Sequence, residues 1–117
     1  MNPEEFRIRT KSYALRIIRL AESLPNSVPA REIQRQLIRC GCSVGANYRA
    51  ACRSRSRAEF VSKLGIAEEE CDESIYWMEL LVEAGLAKSE KLTNLMKEGY
   101  EILSMIVASR KTARSKP

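Results

Sequence analysis

The sequence of 117 residues contains no histidine, and that absence removes whole classes of chemistry. Without an imidazole, one subunit holds no Ser-His-Asp or Cys-His nucleophile, no imidazole acid or base, and no His-containing metal site. Aromatic residues are scarce at 6%, with only five glycines and four prolines, which disfavours a sandwich or a barrel. Long hydrophobic runs are missing too. The longest uncharged stretch, 40–48, has nine residues against the ~20 that a spanning helix needs, so no membrane association is expected. Residues 1–10 are charged rather than apolar, unlike a secretory leader, and a cytoplasmic location with reduced thiols is the expectation. Cys40, Cys42, Cys52 and Cys71 all fall in segments that read as helix. Residues two apart on a helix point to roughly opposite sides, so Cys40 and Cys42 read as small packing residues rather than as a ligand pair.

What is present is charge, 30% of residues, laid over a helical rhythm. The length suits one domain with one core. Three connections divide it: the two-proline segment 24–29, the segment 53–59 in which Ser56 and Glu59 match a capping box, and 84–89, where Gly85 suits a helix C-cap and Ser89 a new N-cap. Helices are expected near 4–24, 30–53, 57–84 and 89–109. Phe60, Leu64, Ala67, Cys71, Ser74, Met78, Leu81 and Gly85 repeat at steps of four and three, a heptad seam. Ile33, Leu37, Cys40, Val44, Asn47 and Ala51 repeat it in the second helix, and Tyr13, Ile17, Leu20 and Leu24 in the first. Long helices with short connections give an all-α, antiparallel up-down-up-down four-helix bundle over 1–109. The segment 110–117 has no apolar pattern and reads as a disordered basic tail. Gly41 and Gly45, four apart, predict close approach of a neighbouring helix, and Asn47 at a core position predicts a partner such as Ser43 or Glu70.

The net charge of +5 divides unevenly: +2 over 1–29, +6 over 30–57, −7 over 58–90 and +4 over 91–117. Projected at 100° per residue, Arg31, Arg35, Arg39, Arg49 and Arg53 share an arc of roughly 80° opposite the seam. Such a stripe, continued by Arg55 and Arg57 at the helix junction and by Arg110, Lys111 and Arg114 in the tail, suits the phosphates of RNA or DNA. The alternative is that the arginines are consumed by the acids of the third helix, within one subunit or between subunits. Ile66, Trp77 and Leu80 project off the core stripe of that helix, and an apolar patch there predicts a homo-oligomer interface.

Catalysis finds little support. Bundle di-iron sites use Glu-x-x-His, residues 41–45 lack the Lys-Ser/Thr of a P-loop, and Glu68, Glu69 and Glu70 fan over different faces. No catalytic residue, metal or cofactor is expected.

The segment 36–86 resembles the bacterial four-helix bundle proteins encoded by intervening sequences of large-subunit ribosomal RNA genes. Gln36, Arg39, Ser43, Val44, Asn47, Arg53, Ser56, Glu59, Phe60, Leu64, Ile66, Ala67 and Glu73 carry the likeness, and residues 13–25 fit the family's first helix. The chain departs from the family pattern at Gly45, at Ala50 and Ala51, and at Glu68 and Glu69. The resemblance implies a bundle assembling as a ring, commonly a homopentamer. It also implies kinship with the accessory variability proteins of diversity-generating retroelements, whose basic barrel engages a reverse transcriptase and nucleic acid.

Overall fold

The computed structural model describes residues 2–116. Four helices follow in order: α1 (Pro3–Glu22), α2 (Val28–Cys52), α3 (Arg57–Glu83) and α4 (Ser89–Ser115). Local chemistry sets their ends. Asn2 Oδ1 accepts the amides of Glu4 and Glu5 at 2.9 and 3.2 Å, Ser27 caps α2 through Ala30 N–H, and Ser56 Oγ accepts Glu59 N–H at 3.1 Å. Side-chain caps of this kind contribute about 1 kcal/mol each. Gly85 follows α3 with φ of 71°, a left-handed turn that a side chain would strain. Ser89, expected as the cap of α4, is instead its first residue, and Lys88 stands at the cap position without a side-chain bond.

Contacts fix the directions. Along α1, Phe6, Thr10, Ile17 and Ala21 meet Tyr48, Gly45, Gly41 and Gln34 of α2, so the partner number falls as α1 advances. Along α3, Val61, Cys71 and Glu79 meet Arg110, Gly99 and Tyr100 of α4. Both pairs are antiparallel, and the short turn at 53–56 reverses α2 into α3. The result is the expected up-down-up-down bundle, a rod of 50 × 21 × 21 Å.

The heptad positions form the core. Tyr13, Ile17, Leu37, Val44, Leu64, Met78, Leu81, Leu92, Ile102 and Ile106 are fully enclosed. Phe6 and Tyr48 close one end of it with rings edge to face at 4.7 Å. Gly41 and Gly45 do admit a neighbouring helix: a Cβ at Gly41 would collide with Ile17 of α1, and one at Gly45 would lie 3.1 Å from Thr10 Oγ1.

One polar thread crosses the core. Ser74 Oγ donates to Cys71 O at 2.6 Å, so Tyr13 Oη, 2.8 Å away, donates to Ser74. Gly99 leaves the room that Tyr13 needs, since a Cβ there would lie 2.7 Å from its hydroxyl. Burial pushes the Tyr13 hydroxyl's pKa up, keeping it a neutral donor. Among the described residues no buried side-chain polar atom lacks a partner, and a satisfied thread of this kind ties α1, α3 and α4 to one register. Asn47 finds Ser43, donating to its carbonyl and hydroxyl at 2.9 Å each.

The tail differs from expectation. Helix α4 does not stop at 109 but runs to Ser115. Arg110 lies across Gly65, donates to Val61 O at 3.2 Å and pairs with Glu68 at 3.6 Å. Ala113 is buried, and it continues the spacing of Gly99, Ile102 and Ile106. A small residue at a core position packs as well as a large one but gives the sequence pattern little signal. Pro117 lies outside the described residues.

Candidate nucleic-acid interface

The antiparallel order brings the start of α1, the end of α2, the start of α3 and the end of α4 to one end of the rod. Arg57 Nη1 donates to Lys116 O at 2.6 Å there, tying the last turn of α4 to the first of α3. Residues 2–11, 49–63 and 110–116 hold twelve bases and three acids, Glu4, Glu5 and Glu59, so the rest of the chain carries a net −4 of the total +5. The sequence therefore folds into a rod with one strongly basic end, a polarity that its linear charge blocks do not display.

The ten basic residues singled out from the sequence separate into three groups. Arg49, Arg53, Arg55, Lys111 and Arg114 are exposed at or near the basic end, and among the described residues none forms an ion pair. Arg57 shares that end, joined to Lys116. Arg39 and Arg110 are committed to α3. Arg39 pairs with Glu70 at 3.0 Å and with Glu73, and Arg110 is laid over Gly65 beside Glu68. Arg31 and Arg35 sit toward the opposite end, where Arg31 bonds Asn26 and Arg35 approaches Glu32 at 3.7 Å. All five arginines of the α2 stripe are exposed, but what each one faces depends on the neighbouring helix. The stripe is partly paired and partly free.

Two cations that the sequence reading passed over, Arg7 and Lys11 on α1, join the basic end. Their signal was the register: the start of α1 must lie beside the end of α2 once the bundle is antiparallel. Arg9, between them in sequence, turns the other way and is clamped by Glu98 with two bonds of 2.7 Å and by Glu101 at 3.0 Å. The Arg9 guanidinium holds the Glu98 carboxyl below its usual range.

On the outer face of α3, Ile66 is 38% and Tyr76 52% exposed. Trp77 and Leu80 are half-buried and pack on the bundle's own core. The Trp77 indole donates to Glu73 at 3.0 Å and meets the Tyr76 ring edge-on at 5.2 Å. Tyr76 is thus the most exposed ring of the patch, and the sequence reading omitted it. Glu68, Glu69 and Glu70 fan apart, Glu68 toward Arg110, Glu70 toward Arg39 and Glu69 into solvent. Among the described residues no three cysteine or carboxylate side chains gather as metal ligands, and no helix is long and apolar enough to cross a membrane.

The fold is that of a small four-helix bundle whose basic residues gather at one end. Residues 5–108 match the model of the 23S rRNA-intervening sequence protein family, and the chain belongs to that family. A solved structure from Bacteroides thetaiotaomicron, described as a protein with unknown function from the S23 ribosomal protein family, is similar at 31% identity. The likeness covers 95% of this chain and 99% of that one, with a TM-score of 0.85. No curated protein matches.

Proposed function

We propose that the protein is a non-enzymatic, cytoplasmic, homo-oligomeric bundle that binds nucleic acid, or an enzyme acting on nucleic acid, through its basic end. The observation that carries this reading is the imbalance of twelve bases to three acids there, with Arg53, Arg55, Lys111 and Arg114 outside every ion pair among the described residues. Cations unmatched within the fold attract an external polyanion, and the counterions released from phosphates make such binding salt-dependent and tolerant of sequence. The outer face of α3, with Ile66 and Tyr76 exposed beside Trp77 and Leu80, supports self-association. The ring that the family resemblance implies, a homopentamer, would repeat the basic end and multiply weak contacts. By the same resemblance a reverse transcriptase is one enzyme it would serve.

Fluorescence anisotropy with labelled single-stranded and duplex RNA and DNA tests the reading. Replacing Arg55, Lys111 and Arg114 by glutamine should weaken binding by roughly tenfold or more and flatten the salt slope by about 2 to 3. A wild-type protein that binds none of these at low salt, or binds without a salt slope, overturns it. Native mass spectrometry tests the assembly, where a monomer removes the interface on α3.

A second reading, a structural scaffold whose arginines serve inter-helix ion pairs, is favoured by Arg39, held between Glu70 and Glu73. It describes the middle of α2 and not its end.

A further inference from the structure

Near the basic end, α1 and α2 leave between them a groove of about 740 Å³. Its walls are two pairs of cations, Arg7 and Lys11 from α1 and Arg49 and Arg53 from α2. Each pair is spaced i, i+4, about 6 Å along its helix. The register set by Phe6 against Tyr48 and Thr10 against Gly45 places Arg7 across from Arg49, with Lys11 and Arg53 extending the row in opposite directions along the groove. None of the four is in an ion pair among the described residues. Glu4 is the one acid lining the groove. The floor is made of small side chains where the helices touch, Gly45 against Thr10 with Ala14 and Ala46 alongside.

We propose that this groove binds one strand of nucleic acid along its phosphodiester backbone, with Lys11, then Arg7 opposite Arg49, then Arg53 contacting phosphates along the strand. The inference rests on the binding reading above and extends it from the end of the rod into a defined track. The small side chains of the floor, Gly45, Ala14 and Ala46, keep the helix seam open to solvent between the cations, which gives a shallow track for one sugar–phosphate backbone. No aromatic ring lines it, so bases are not stacked there and binding follows the backbone rather than the sequence. A docked amphipathic helix needs several apolar pockets in register, and the groove offers one large aliphatic, Ile8, 64% exposed.

The groove carries its own reporters. Cys42, half-buried, and Cys52, exposed, both line it, whereas Cys40 and Cys71 are buried in the core. The full-length protein is treated with iodoacetamide, an uncharged reagent, with and without an oligouridylate at low salt, and each cysteine is read by mass spectrometry. The strand should slow alkylation of Cys52 by about fivefold or more and slow that of Cys42 too. Both effects should vanish at high salt. In the Arg7→Gln/Lys11→Gln variant the protection should be lost while the melting temperature is kept. If anisotropy shows the oligouridylate bound but Cys42 and Cys52 react at their free rates, the binding reading stands and the groove is not the track. Protection that survives Arg7→Gln/Lys11→Gln also overturns the proposal, since the α1 cations then do not hold the strand. Equal protection by polyglutamate at matched charge overturns it as well, because the groove then reads charge and not phosphodiester. If no oligonucleotide binds at all, both readings fall together.

Discussion

The two edges of the arginine stripe on α2 carry the same residue type and treat it in opposite ways. Toward α3, Arg39 meets Glu70 and Glu73 and is held. Toward α1, Arg49 and Arg53 share the groove with Arg7 and Lys11, Glu4 is its one acid, and none of the four cations is in an ion pair among the described residues. Helix α1 repeats the contrast, with Arg9 clamped by Glu98 and Glu101 of α4 while Arg7 and Lys11 face the groove. A cation facing acids is spent on the fold, whereas cations facing one another are a local cost to folding that an external anion can relieve.

The comparison breaks most forcefully at its packing. Gly41 lets α1 seat against α2, and Gly41→Val drives a branched side chain into buried Ile17. The overpacking should cost about 2–3 kcal/mol, seen as a urea midpoint shifted down and a Tm lower by roughly 10 °C. An unchanged midpoint would show that the helices tolerate a wider seam.

A smaller effect separates the two arginine environments directly. Arg39 is half exposed, so Arg39→Ala should cost about 0.5–1 kcal/mol, while Arg49→Ala should stay within about 0.5 kcal/mol of wild type and weaken polyanion binding instead. Equal losses of stability in paired denaturation curves would erase the distinction between held and free arginines.

The smallest effect is in pH. The Glu98 carboxyl is held below its ordinary value by the hydrogen bonds from Arg9, so its stabilisation is present above the ordinary carboxylate pKa of about 4.3 and is lost as pH falls through the lower folded-state value. Glu98→Gln should therefore melt below wild type at neutral pH, by a small margin, and the two melting temperatures should converge as pH falls below the ordinary carboxylate range and through the lowered folded-state value. A difference that persists in acid would mean that Arg9 and Glu98 act through packing alone.

The bundle was legible because its core follows a heptad rule. Leu64, Ala67, Cys71, Ser74, Met78 and Leu81 are all buried as their spacing requires, and Ser56 caps the helix that it precedes. Thr10 and Phe6, buried one and two helical steps before Tyr13, extend the same rhythm into a segment whose many charges hid it. The end of α4 was missed for a related reason, since Ala113 is too small and its neighbours too basic to register as a helix face. The site was legible only in part. Periodicity tells which residues share a face but not which helix lies opposite, so it placed Arg39 and Arg49 on one stripe and could not separate them. Arg7 and Lys11 were invisible until the register put the start of α1 beside the end of α2.

The alternation of helix directions has a consequence for what drives any binding at the basic end. Two helix N-termini and two C-termini meet there, and their fractional charges, near half a unit each and of opposite sign, largely cancel. The attraction at that end thus comes from side chains on flexible stems and owes almost nothing to the backbone. Substitutions at solvent-facing positions can strengthen it, redirect it or erase it while the core beneath stays intact, leaving the scaffold free to acquire a new polyanionic partner without refolding.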